Sequence, residues 1–175
     1  MTDDLFLHRP ILTTERLTLR RHRITDYEDC CLLTSDPEAV RTIYRQPMSR
    51  EDTWNRLLRF AGHWSLLGYG LLVVEERPAG RVVGEVGLAD FHRGLGEDFD
   101  PFPEFAWMMA SEVHGRGYAT EAARAVLDWM ETSFAPKRTV CMIDPDNIPS
   151  LRVAEKLGFQ VFGEAQYKDL SLIHI

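Results

Sequence analysis

The sequence predicts one α+β domain, a mixed α/β fold around a single sheet, and three observations predict it. Runs of alternating or continuous apolar residues interleave with runs of helical spacing, in the order β-α-α-β-β-β-α-β-α-β-β. Two β-rich runs, 69–76 and 81–91, are joined by RPAG, a hairpin connection that makes neighbouring strands antiparallel. A strand–helix–strand–helix stretch follows them, and crossovers of that kind bring in parallel pairing, so the sheet is mixed. The length of 175 residues suits one domain and is enough to bury a core without disulfides or metals.

Each element has its own signal. RLTLRRHR (16–23) alternates Leu17 and Leu19 with polar residues and predicts the first strand. In TDYE (25–28), Thr25 with Glu28 three positions on reads as a capping-box start for a helix through about Leu33. A second short helix follows Pro37. SRED (49–52) is a similar start with Asp52 in the Glu place, and Trp54, Leu57, Leu58, Ala61 and Trp64 recur behind it at helical spacing. YGLLVVEE (69–76) and RVVGEVGLADF (81–91) form the hairpin. FHRGLGEDFDPFP (91–103) is loop chemistry, long for a hairpin connection, which suits a binding loop.

EFAWMMA (104–110) is apolar on both faces, which predicts a central strand. Ala119, Ala122, Ala123, Val126, Leu127, Met130 and Phe134 share one face of a helix that stops before Pro136. RTVCMI (138–143) reads as a short buried strand and DPDN (144–147) as a turn. Pro149 suits the first turn of the next helix and Gly158 its C-terminal cap. QVFGEAQY and DLSLIHI close the chain as strands.

A net charge of −7 argues against nucleic acid as a partner, because a phosphate backbone asks for a basic face. It is compatible with a cationic acceptor, and the acids Glu97, Asp98 and Asp100 are either an attractor for one or a solvated loop. Cys30, Cys31 and Cys141 are odd in number and form no C-x-x-C pair, so they read as buried small hydrophobes, with no metal site. The acidic N-terminus shows no signal peptide and no run spans a bilayer, so the expected location is cytoplasmic, away from membranes.

VHGRGYATEA (113–122) carries the chemistry. Gly115 and Gly117 stand between a strand and a helix. Glycine lets an anion approach the backbone, the helix start leaves N–H groups without partners, and the helix dipole favours negative charge there. Arg116 adds a positive charge. The same residues also suit a plain strand-to-helix turn, and taken alone they leave both readings open. The spacing is neither a Rossmann fingerprint nor a P-loop.

With its flanks, the segment EFAWMMASEVHGRGYATEAARAVLDW resembles the central motif of the GNAT-type N-acetyltransferase superfamily, in the branch related to ribosomal-protein (Rim-like) N-terminal acetyltransferases. That loop has the form Q/R-x-x-G-x-G/A. DPDNIPSLRVAEKLGF resembles the family's next motif, and RLTLRRHRITDYED and GEVGLADF its opening strand and hairpin. The resemblance covers nearly the whole chain. It implies a largely antiparallel sheet of about seven strands, splayed between the fourth strand (104–110) and the fifth (138–143), with about four helices around it. It implies acetyl-CoA in the split as cosubstrate. The pyrophosphate would lie on His114, Gly115, Arg116, Gly117, Tyr118, Ala119 and Thr120. The pantetheine arm would pair with backbone at Met108 and Met109, and Asn147 and Ser150 would touch the same arm. The loop's Q/R position is His114 here. The position where many members carry a tyrosine acid is Ala154.

The reaction so implied is direct attack of a neutral amine on the thioester in a ternary complex. A lysine-type amine costs about 4–5 kcal/mol to deprotonate at pH 7 and an α-amine only about 1 kcal/mol, so a base matters more for the first. Glu104 matches a Glu often found in the family and is the base candidate, with Glu85 second. Ser150 is the acid candidate, and a backbone N–H near Met109 would meet the oxyanion. Trp54, Trp64 and Tyr69 are either an acceptor wall or core. The acceptor is a protein N-terminal α-amine or a small amine, and a homodimer stays open. The missing tyrosine keeps in view a non-catalytic acyl-CoA-binding or sensing domain on the same fold.

Overall fold

The computed structural model describes residues 10–167 and 170–174. Strands β1 (Pro10–Thr13) and β2 (Leu17–Arg20) are followed by helices α1 (Tyr27–Ser35), α2 (Pro37–Val40) and α3 (Arg50–Leu67). The hairpin of β3 (Leu71–Glu76) and β4 (Arg81–Ala89) leads to β5 (Glu104–Met109) and α4 (Tyr118–Phe134). Then come β6 (Met142–Ile143), α5 (Ile148–Lys156), β7 (Gly163–Tyr167) and β8 (Leu170–His174).

The strands form a five-stranded antiparallel sheet in the order β1-β2-β3-β4-β5 and a three-stranded one in the order β6-β8-β7. Alternation along the strands divides the first sheet between two layers of helix. Leu72, Val74, Val86 and Leu88 join Ala122, Ala123, Val126 and Met130 of α4 in the main core. Leu71 and Ala89 face the other way and pack with Phe60 of α3, while Met108 packs with Leu33 and Val40 of α1 and α2. Among the described residues, no helix is long and apolar enough to cross a membrane.

Local signals placed most elements. Ser49 caps α3, accepting from the Asp52 N–H at 3.0 Å. Gly158 follows α5 at φ +87°, a left-handed position that suits glycine. Two expectations change. Thr25 does not cap α1: it lies inside a 3-10 turn (Ile24–Asp26), and the helix starts at Tyr27. Asp26 turns back instead, taking both Nη groups of Arg20 at 2.7 and 2.8 Å. The 104–110 strand is the edge of its sheet rather than central, because its second neighbour leaves it after one bridge. The cysteines are buried and free.

Candidate active site

The site begins where the two sheets part. Glu104 forms an isolated parallel bridge with Val140; the Phe105 N–H donates to the Val140 carbonyl at 2.7 Å and the Val140 N–H to Pro103 at 3.1 Å. β6 then turns away to pair with β8. The rest of the β5 edge is left open.

Which backbone groups face that opening follows from pairing parity. The Ala110 N–H donates to the Val83 carbonyl at 2.9 Å and Met108 is registered with Glu85, so even-numbered residues of β5 spend their backbone on β4. The N–H and C=O groups of Trp107 and Met109 face the split. The expectation placed Met108 and Met109 together on the open edge; the pairing instead spends the Met108 backbone on β4 and leaves Trp107 beside Met109 on the side of the split. Met108 is buried, its side chain among Leu33 and Val40. The Met109 carbonyl is bonded to His114 Nε2 at 3.0 Å, so the loop histidine anchors the end of the strand.

Beyond β5 a short 3-10 turn (Ser111–Val113) leads into the glycine loop. Gly115 and Gly117 adopt φ of +78° and +82°. A Cβ at Gly115 would meet nothing within 4 Å and one at Gly117 only Arg16 Nη2 at 3.6 Å, so conformation and not space demands glycine. The first helical bond of α4 runs from the Glu121 N–H to the Gly117 carbonyl at 3.1 Å. The N–H groups of Tyr118, Ala119 and Thr120 precede it and project from the helix end, an arrangement that suits an anion.

A scaffold that the sequence reading missed holds the loop in place. Arg16 Nη1 donates to the Arg116 carbonyl at 2.9 Å, and its Nε donates to Glu121 Oε2 at 2.7 Å. Thr14 Oγ1 reaches the same carboxylate at 2.6 Å. The Tyr118 hydroxyl donates to Glu76 Oε1 at 2.7 Å, and the exposed Arg116 lies 3.4 Å from that oxygen. These partners come from the turn between β1 and β2 and from the end of β3, about a hundred residues upstream in the first case, and no local pattern marks them.

Asn147 and Ser150 line the same cleft, of about 610 Å³, as Glu104 and Trp107. The Asn147 side chain accepts from the Ser150 N–H at 3.2 Å, which caps α5 and fixes the Ser150 position in its first turn. Glu104 is 5% exposed and takes Arg93 Nε at 2.5 Å and Nη2 at 2.7 Å. Burial raises the Glu104 carboxyl against the pull of Arg93. Each of its oxygens retains a lone pair for a further partner.

Glu85, the second base candidate, is fully buried away from the cleft between Arg56 and His22, whose Nε2 lies 2.8 Å from it. Burial alone would raise its carboxyl; the Arg56 charge and the His22 bond outweigh that and hold it well below the usual range. His22, Cys30 and Glu85 come close enough to suggest metal ligands, but Arg56 already supplies the cation there. Ala154 is 1% exposed and packed in the main core. Trp64 is core, donating to the Leu71 carbonyl at 2.8 Å. Tyr69 packs against Phe134 and Trp54 against Tyr27, so these aromatics do not wall the cleft. Asp100 is spent inside its own loop, accepting from Gly94 and Gly96 N–H groups at 3.1 and 2.7 Å.

Comparison with known proteins fits this geometry. The acetyltransferase (GNAT) domain family model matches residues 16–160. The uncharacterised N-acetyltransferase p20 of Bacillus licheniformis is 27% identical over 155 residues, covering 87% of this chain and 83% of p20. A solved protein of Bordetella pertussis assigned to the GnaT acetyltransferases superposes with a TM-score of 0.83 at 30% identity, over 95% of this chain and 98% of the other. The fold is also that of the ribosomal-protein-S5-alanine acetyltransferase of Vibrio fischeri, with a TM-score of 0.72, 18% identity and 94% coverage of each chain. The split edge, the glycine loop and a family match over most of the sequence lead to one conclusion: this chain belongs to the GNAT acetyltransferase family.

Proposed function

We propose that this chain transfers an acetyl group from acetyl-CoA to a primary amine, by direct attack of the amine in a ternary complex. One observation carries the reading: the β5 edge, open at Trp107 and at the Met109 N–H, leads through a short turn to a helix start with free N–H groups and two left-handed glycines. An extended amide-bearing arm pairs with such an edge as an added strand would, and a pyrophosphate suits such a helix start. Relatives named as N-acetyltransferases support an amine as the acceptor.

The chain's own residues take these parts. Backbone N–H groups of Tyr118, Ala119 and Thr120 bind the pyrophosphate. Trp107 and Met109 orient the arm, and the Met109 N–H donates to the carbonyl oxygen as charge develops on it. Glu104 accepts the proton of the amine, its basicity raised by burial. The Ser150 hydroxyl donates to the departing sulfur.

The test is thiol release from acetyl-CoA against a panel of amines, with calorimetric binding of CoA beside it. Amine-dependent thiol release supports the reading. Tight CoA binding without turnover on any amine overturns it in favour of a sensing domain, and absence of CoA binding overturns both.

A further inference from the structure

The far wall of the cleft is built from arginines, and one of them is unanswered. Arg56 is committed to Glu85 and to the Tyr44 hydroxyl, to which its Nε donates at 3.1 Å. Arg93 is committed to Glu104. Arg59, one helical turn beyond Arg56 on α3, forms no ion pair among the described residues; its charge acts on Glu104, but that carboxylate is already held by Arg93. It is exposed to the cleft and lies over the Phe91 ring at 5.2 Å, with Arg93 over the same ring at 4.6 Å.

Two guanidinium groups thus share one aromatic plate with Arg56 beside them. Burial lowers Arg59, and the charge of Arg56 lowers it further. The nearby His63 is lowered too, by burial and then by Arg59. The cluster of Arg56, Arg59 and Arg93 at one wall concentrates positive charge in a chain whose net charge is −7. The other acids at the cleft have partners: Asp144 faces Arg45 at 3.7 Å, and Asp52 accepts from the Ser49 hydroxyl at 2.6 Å at the start of α3.

We infer that the amine acceptor carries a carboxylate near its amine, and that Arg59 is the residue that binds it. This rests on the transferase reading above and narrows its substrate class. A planar guanidinium donates two parallel bonds to a carboxylate, a geometry an ammonium cannot reproduce. The same field repels polycationic amines and disfavours them as acceptors.

The experiment uses matched acceptors sharing one α-amine: Ala-Ala-amide, Ala-Asp-amide, Ala-Lys-amide, and Ala-Ala with its free C-terminal carboxylate. Thiol release is followed for the wild type, Arg59→Gln and Arg59→Lys. In the wild type, one or both carboxylate peptides exceed the neutral amide in kcat/KM by about tenfold, mostly through KM, and Ala-Lys-amide is the poorest. Which carboxylate peptide leads tells a side-chain carboxylate from a C-terminal one. Arg59→Gln brings the ratio of carboxylate to neutral peptide to within about twofold, Arg59→Lys restores part of it, and calorimetric acetyl-CoA binding stays intact in both. Equal use of all four peptides, a preference for Ala-Lys-amide, or a ratio unmoved by Arg59→Gln overturns the inference while leaving amine acetylation standing. If no peptide is turned over, calorimetric binding of the four to the acetyl-CoA-loaded protein decides: the same order upholds the carboxylate site although the transferase reading has failed, and equal binding overturns it.

Discussion

Replacing Gly117 by alanine isolates the contribution of the loop backbone to cofactor binding. Gly117 sits at φ +82°, and a Cβ there would meet only Arg16 Nη2 at 3.6 Å, an ordinary contact. Sterics therefore contribute little, and the penalty is conformational, about 1–2 kcal/mol for an L-residue in the left-handed region. The chain has two ways to respond. It keeps the loop and loses that much stability, or it relaxes the loop and turns the first α4 amides away from the anion. Relaxation weakens CoA binding by about 5- to 30-fold for the same free energy. Calorimetry with CoA and with acetyl-pantetheine, which lacks the pyrophosphate, separates the effects. The variant loses affinity for CoA and keeps its affinity for acetyl-pantetheine, and chemical denaturation records whatever part of the strain remains in the fold. An equal loss on both ligands, or no change in affinity and none in stability, refutes the cradle argument.

Glu104→Gln removes the proton acceptor, so kcat falls and the acidic limb of the pH–rate profile disappears; an unchanged profile removes Glu104 from that role. Ser150→Ala lowers kcat by about tenfold or more, as loss of a general acid does, while the Kd for CoA moves little; an unchanged kcat leaves the thiolate to depart unaided. Glu85→Gln strands Arg56 in the core and costs about 3–5 kcal/mol at pH 7 by denaturant unfolding. The folded Glu85 carboxyl is lowered, so its stabilisation is present above the unfolded carboxylate range of about 4.3 and is lost as pH falls toward the lower folded value. Wild-type stability should accordingly drop more steeply than the variant's between neutral and strongly acidic pH, and parallel pH curves would rule this out. Two further glycine substitutions have opposite signs. A Cβ at Gly87 would lie 2.4 Å from the Gly70 carbonyl, so Gly87→Ala destabilises by about 1–3 kcal/mol. Gly62 in α3 has open space, so Gly62→Ala stabilises by about 0.5–1 kcal/mol, and a shared sign in denaturation would contradict the packing described.

The sequence by itself determined what depends on neighbours within a turn or two. The Ser49 helix start, the RPAG hairpin, the amphipathic face of α4, the DPDN turn and the glycine turn into α4 are local chemistry, and each reads directly from spacing. The capping box at Thr25 failed because a buried ion pair competes with it: Asp26, taken by Arg20 six residues earlier, lies in the 3-10 turn that precedes the helix, and burial of that pair is a tertiary effect that the TDYE pattern does not show. Tertiary structure alone decided which parity of β5 faces the split, because parity is set by register against β4 and by where β6 departs. It also decided the charges. Glu85 and Glu104 look alike as acids in strand runs, yet the first is sealed against Arg56 and the second borders the cleft beside Arg93. Arg59, in the same helix as Arg56, forms no ion pair among the described residues. A carboxylate's role depends on which guanidinium the fold brings within about 3 Å and on how much water it leaves, and pairings between segments so far apart in the chain leave no trace in local sequence.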